Sequence, residues 1–281
     1  MRQNAISIGL CTLLLGLTSM NALVWTAPSV ANDPTPATEH EAAATKRRPL
    51  FVASKTKVRR TPITATVITP QPEILPVVDQ PTITDNHKKI ATTVLRALPA
   101  ACRDNLNTFA VLYKGATRRG LGGKTTIILD GSVPDAEFAA LLVHECGHVI
   151  HGNMQGTFAS GLSAYADGPN PFYADSPIVA FWNISWSNTA KRLSTSKDAD
   201  FISGYAKDNP FEEFAETFAA YVLQRDVLRE RAKTNSAIAA KLFWMDVHLP
   251  LSDDAIGNGT ATWTGDVPWD VTKLPLTLAS R

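Results

Sequence analysis

The run Leu141-Leu142-Val143-His144-Glu145-Cys146-Gly147-His148-Val149-Ile150 sets a His-Glu-x-x-His motif inside an apolar stretch. On a helix each residue advances about 100° and 1.5 Å, so His144 and His148 stand one turn apart on one face. Two neutral imidazoles at that separation can grip one metal ion, and Glu145 beside them can take a proton from a water on that ion. Around the same helix Ala139, Leu142, Val143, Cys146, Val149 and Ile150 fall on the side opposite His144, His148 and Ala140. One side therefore packs into a core while the histidines look into a cleft. Ser132-Val133-Pro134-Asp135 reads as the start, with Ser132 as N-cap and proline in the first turn, and Gly152 as the stop. The expected helix spans about 133–151.

The chain has 281 residues, 44% of them hydrophobic, which is ample for a core, and its net charge of +1 selects no partner. Residues 1–31 read as a secretory signal, with Arg2 as the positive end, Ala5 to Val24 as the apolar stretch and Ser29-Val30-Ala31 as a small-x-small cleavage site. Kept uncleaved, the apolar stretch is long enough to anchor the chain in a membrane. Cys11 does not make a lipoprotein signal, because Leu10 stands where a small residue is needed. Removal of the signal leaves Cys102 and Cys146, which either pair in an oxidising compartment or remain two separate buried thiols.

Residues 32–81 are rich in proline and poor in large apolar side chains, as in a linker or pro-segment. Lys46 to Arg60 carries seven basic residues and no acid. It reads as a solvated tail, as a contact to an anionic surface, or as a processing site at Lys46-Arg47-Arg48. Folded structure is expected from Thr82, with a helix over 84–98 ended by Pro99, strands over 109–113 and 125–129, and a Gly-rich basic loop from Lys114 to Lys124 between them. The stretch 152–200 has no clear periodicity. Trp182 and Trp186 are spaced to share a helix face, better suited to core packing than to substrate binding. Residues 251–281 read as a tail packed on the domain. The folded part shows no repeat, no zinc-finger spacing and no basic stripe interleaved with aromatics, so no nucleic-acid partner is indicated.

Two histidines do not complete a catalytic metal site, which usually has three protein ligands. The third is sought in Tyr205 to Phe218, where Pro210 fits a first helical turn. Phe211, Ala215, Phe218, Ala219, Val222 and Leu223 form an apolar arc there; Glu212 and Glu216 lie at its edge, one turn apart, and Glu213 points to the polar side. Like charges at that spacing oppose each other by a few tenths of a kcal/mol, which a nearby cation would relieve.

His144-Glu145-Cys146-Gly147-His148 followed by Tyr205 and Glu212-Glu213-Phe214-Ala215-Glu216 resembles the gluzincin metallopeptidases, in particular the branch containing the anthrax lethal factor catalytic domain and the secreted Pro-Pro endopeptidases. In that branch a tyrosine precedes the ligand glutamate by seven residues and a second glutamate follows it by four. Tyr205, Glu212 and Glu216 keep both intervals; residues 152–200 have no counterpart. The resemblance implies one zinc per chain held by His144, His148 and Glu212, with Glu145 as catalytic base, Tyr205 stabilising the oxyanion and Glu216 orienting a histidine. It also implies an α+β, zincin-like domain over about 82–250, with a small sheet, a metal helix and a facing glutamate helix. Its partner would be a protein or peptide substrate outside the cytoplasm; the strand character of Thr125–Leu129 and its position before the metal helix suggest that an extended peptide binds along that strand's edge.

His151 shares the face of His144 and His148 but lies two turns from His144, and reads as a cleft-rim or surface residue. His248, after Trp244 in an apolar segment, reads as a core or surface histidine and as the fallback third ligand. Two other functions fit the same residues: a non-catalytic secreted protein with structural zinc, held on an anionic surface through residues 46–60, and a zinc amidase acting on cell-wall peptides.

Overall fold

The structure, a computed structural model, describes residues 73–251, 256–259 and 268–278; the expected signal at 1–31 and the basic stretch at 46–60 lie outside them. Thr84 opens helix α1 (Asp85–Ala97) by accepting from the His87 N–H at 3.4 Å, and Ala91, Val94 and Leu95 face the core. The short α2 (Ala100–Arg103) carries Cys102. Strands β1 (Thr108–Leu112), β2 (Gly120–Gly122) and β3 (Thr126–Asp130) make a three-stranded sheet in the order β1-β3-β2, with β1 parallel and β2 antiparallel to β3. Alternation buries Phe109, Val111, Ile127 and Leu129 on one face, as period-two side-chain geometry requires. The fold is thus mixed α+β with a small sheet.

The central helix α3 (Asp135–Gly152) is buried along most of its length, with Phe138, Leu142, Val143, Cys146 and Val149 fully enclosed. Each such side chain removes apolar surface worth about 1.5–3 kcal/mol from water. Its ends differ in detail from the sequence expectation. Ser132 does not cap it: its N–H and hydroxyl both turn back to Asp130 Oδ1, at 2.8 and 2.6 Å, leaving Pro134 at the N-cap. Gly152 continues the helix, and Asn153 ends it by donating its side-chain amide to the Val149 carbonyl at 2.8 Å.

The stretch after α3 is built of small pieces: the hairpin β4 (Leu162–Asp167) and β5 (Asn170–Tyr173), the short helix α4 (Pro177–Trp182), and the hairpin β6 (Trp186–Asn188) and β7 (Lys191–Arg192). Trp182 and Trp186 are both buried, as core packing requires, but one ends α4 and the other lies in β6, so they share no helix face. Helix α5 (Pro210–Leu223) has Pro210 in its first turn and is capped by Asn209 Oδ1, which accepts from the Phe211 and Glu212 N–H groups at 3.0 Å each. Helices α6 (Arg225–Ala232) and α7 (Ser236–His248) follow, and β8 (Gly257–Gly259) pairs with β9 (Leu276–Leu278). Among the described residues no helix is long and apolar enough to cross a membrane.

Three expectations change. Residues 73–81 are not all linker, because Val78 is fully buried and Leu75 and Val77 pack on the same core. The strand Thr125–Leu129, seen as Thr126–Asp130, is the middle of the sheet, so its edges are occupied; the edge strands are β1 and β2, and β2, inside the expected loop, is the one beside Glu145. His248, by contrast, is at the surface, one of the two places expected for it, and stacks on Trp244 with ring centroids 4.4 Å apart. Glu213 does not face solvent: α7 and the 186–201 region cover that side of α5. There the fully buried Glu213 carboxylate meets Lys241 Nζ at 2.5 Å and accepts from Trp186 Nε1 at 2.9 Å, and Lys241 also donates to the Asp200 carbonyl at 2.5 Å.

Of the two states open to Cys102 and Cys146, the structure has the disulfide, with Cα atoms 5.4 Å apart and a sequence separation of 44. It ties α2 to α3. Closing a loop of that length restricts the unfolded chain, so reduction is expected to lower stability by about 4 kcal/mol in urea unfolding with and without reductant. Lys241→Met should cost about 3–5 kcal/mol in the same assay, because the Glu213 charge is left buried without its partner.

Candidate metal centre

Helix periodicity and one close approach assemble the site. A Cβ on Gly147 would lie 2.8 Å from Ala215 Cα, so α3 and α5 touch backbone to backbone where any side chain would part them. With the helices that close, His144 and His148 of α3 face Glu212 and Glu216 of α5. Glu212 Oε2 lies 3.3 Å from Nε2 of both histidines. Glu216 Oε1 accepts from His144 Nδ1 at 2.9 Å, and its Oε2 accepts the Val271 N–H at 2.8 Å. The Tyr205 ring lies nearly parallel to that of His144, with centroids 6.0 Å apart.

Glu145 turns toward the sheet, against β2. A Cβ on Gly120 would lie 2.1 Å from Glu145 Oε1, and one on Gly122 would lie 2.7 Å from Oε2. At Gly122 a Cβ would also lie 2.8 Å from the Glu145 carbonyl oxygen and from His148 Cβ, so glycine there lets β2 approach α3 closely. These groups open into a cleft of about 630 Å³. The β2 edge with its flanks, Arg118 to Lys124, forms one wall; Asn170, Phe172 and Trp269 are on its other sides.

Burial and neighbouring charge set the protonation tendencies. Burial disfavours a charged His144, but the Glu212 and Glu216 carboxylates outweigh it and hold the imidazole well above its ordinary range. Burial likewise opposes the Glu212 charge, and the two facing imidazoles overcome it and hold the carboxyl far below its usual range. Glu145 is pushed up, first by burial and then by Glu212, against the pull of the two histidines. Burial also raises the Tyr205 hydroxyl, and the Glu212 carboxylate beside it adds to the shift.

Every residue that the sequence placed in the site is found there: His144, Glu145, His148, Tyr205, Glu212 and Glu216. His151 is a correction. Instead of lying on a rim it is buried, with its Nε2 3.0 Å from His148 Nδ1. Two further parts had no signal in the sequence. Gly120–Gly122 is too short and too poor in side chains to read as a strand. The segment 268–273 reaches the site mainly through backbone: the Gly204 and Tyr205 N–H groups donate to the Pro268 and Trp269 carbonyls at 2.8 Å each. Asp270 and Glu137 pair with Arg119, whose guanidinium also reaches Thr272 Oγ1 at 3.0 Å.

The donor set fits a metal ion. Donor atoms of His144, Glu145 and His148 lie within 4.8 Å of one another, a grouping that could hold one. Glu212 Oε2 is a buried oxygen that faces both imidazole Nε2 atoms at 3.3 Å without a well-aligned hydrogen bond to either. Its equal approach to two imidazole nitrogens is the geometry a shared cation would stabilise. Comparison of the chain with protein-family models, with curated proteins and with solved structures finds no match.

Gly147→Ala is expected to push α5 away from α3, lowering stability by about 1–3 kcal/mol and weakening metal binding. Thermal unfolding beside a zinc titration checks both effects.

Proposed function

We propose that the chain is an extracytoplasmic zinc-dependent endopeptidase with a zincin-like domain of the gluzincin type. The observation that carries this reading is the buried Glu212 Oε2, placed 3.3 Å from Nε2 of both His144 and His148, with Glu145 beside them in an open cleft. His144, His148 and Glu212 would hold the ion. Glu145 lies against β2 and is assigned the proton-transfer role instead. Zinc, when bound, supplies a Lewis acid that polarises a carbonyl and makes a water nucleophilic at neutral pH.

The protein's own groups account for the remaining steps. Glu145, buried and raised from its ordinary range, is suited to take a proton from the attacking water and return it to the leaving nitrogen. The Tyr205 hydroxyl, kept protonated by burial and by Glu212, is suited to donate to the oxygen that gains charge. Glu216 fixes the orientation of the His144 ring. An extended peptide would pair with the free edge of β2 rather than with the middle strand, where it can use main-chain hydrogen bonds and pass directly over Glu145. The Cys102–Cys146 disulfide supports an oxidising compartment.

Zinc content and cleavage of casein and of peptidoglycan fragments, measured on the same samples, test this reading. One zinc per chain is expected in the parent and in Glu230→Gln, an exposed control, with binding weakened at least about 10-fold in Glu212→Gln. Glu145→Gln should retain zinc but lose about 10²–10⁴-fold in casein cleavage. A parent without zinc, or casein cleavage unaffected by Glu145→Gln, would overturn the proposal. Turnover of the peptidoglycan fragments alone would replace peptidase by amidase.

A further inference from the structure

The region with no sequence counterpart, 152–200, does something specific at the site: it closes an aromatic box around His151. The imidazole stacks on Phe211 with centroids 5.3 Å apart, and Phe214, Trp182 and Phe172 surround it at 5.9, 6.0 and 6.5 Å. Among the described residues the ring's only hydrogen-bond contact is Nε2 to His148 Nδ1 at 3.0 Å, and its Nδ1 is buried without a partner. A polar ring in an apolar box, with one nitrogen given up, calls for a reason.

We infer that His151 is a positioning residue that sets the tautomer and ring orientation of His148 by accepting its Nδ1–H. The inference rests on the metal reading above and deepens it. A neutral imidazole carries one N–H and one lone pair. For His148 to offer the Nε2 lone pair toward the point that Glu212 also faces, its proton must sit on Nδ1. His151 Nε2 must then accept, which places the His151 proton on its own Nδ1, the orphaned nitrogen. In the opposite arrangement His151 Nε2 donates, the His148 proton moves to Nε2, and that nitrogen is closed to a cation. The ring stacking holds His151 where only this exchange is available to it. The two histidines of the motif are therefore oriented by different chemistry: His144 by the carboxylate of Glu216, and His148 by a neutral imidazole that adds no charge.

Zinc affinity by chelator competition, and the visible spectrum with cobalt in place of zinc, test this on the purified parent, His151→Phe and His151→Gln. His151→Phe keeps the aromatic packing and removes the acceptor; it should unfold at the parent temperature without metal, yet bind zinc about 10–100-fold more weakly. His151→Gln offers an amide oxygen in place of Nε2 and should recover part of that loss. The cobalt bands should shift in His151→Phe and move back toward the parent in His151→Gln. Should phenylalanine prevent folding, His151→Leu against His151→Gln makes the same comparison. Parent-like affinity and spectrum in the variant without an acceptor would overturn the inference and leave the metal site standing. A parent that binds no zinc would overturn both.

Discussion

Helices that carry side chains on every face settle about 8–10 Å apart. At Gly147 there is no side chain, and Ala215 of the facing helix comes within contact of the bare backbone. That approach lets ligand-type residues on two separate helices share one point in space. His144 and His148 flank Gly147 on one helix, and Glu212 and Glu216 flank Ala215 on the other, so the two rows oppose each other across the contact. The disulfide from Cys146, beside that glycine, holds the back of α3 to α2. The site is thus a consequence of packing first and of electrostatics second.

Electrostatics still decides what the packing can hold. Glu145, Glu212 and Glu216 are gathered in a small, largely buried volume with three histidines. Carboxylates withdrawn from water are costly unless hydrogen bonds or opposite charge compensate them. Glu216 has two donors, and Glu145 lies against β2. Glu212 keeps an oxygen without a well-aligned donor, and the proposed zinc would complete it. By contrast, Glu213, its neighbour in sequence, is neutralised by Lys241 on the other side of the same helix. Adjacent glutamates on α5 therefore serve two separate ends, one open toward the cleft and one closed within the core.

The parts legible in the sequence are those written in side-chain periodicity. Spacing alone brings His144, His148, Glu212 and Glu216 to two helix faces, and Asn209-Pro210 marks where the second helix begins. The same wheel misplaced Glu213 and His151, for one reason. A helical wheel knows only its own helix, and the covering elements α7 and the 158–201 region come from stretches with weak periodicity of their own. The edge strand β2 was hidden because glycine, needed there to admit Glu145, removes the alternation by which a strand is recognised. The contacts of 268–273 were hidden because many run through peptide groups, which every residue carries.

These last contacts bear on the order in which the molecule comes into being. Glu216 takes one of its two hydrogen bonds from Val271, and the turn bearing Tyr205 hangs on Pro268 and Trp269. A ribosome delivers the motif helix more than a hundred residues before it delivers those groups. Even once Glu212 and Glu216 have been added, a nascent chain still lacks the backbone donor that steadies Glu216 and the acceptors that seat Tyr205. Pairings so distant along the chain are slow to close, because the intervening loop must first surrender its entropy. Maturation of the centre is thereby deferred until residues 268–271 have been made and can fold back to enclose it.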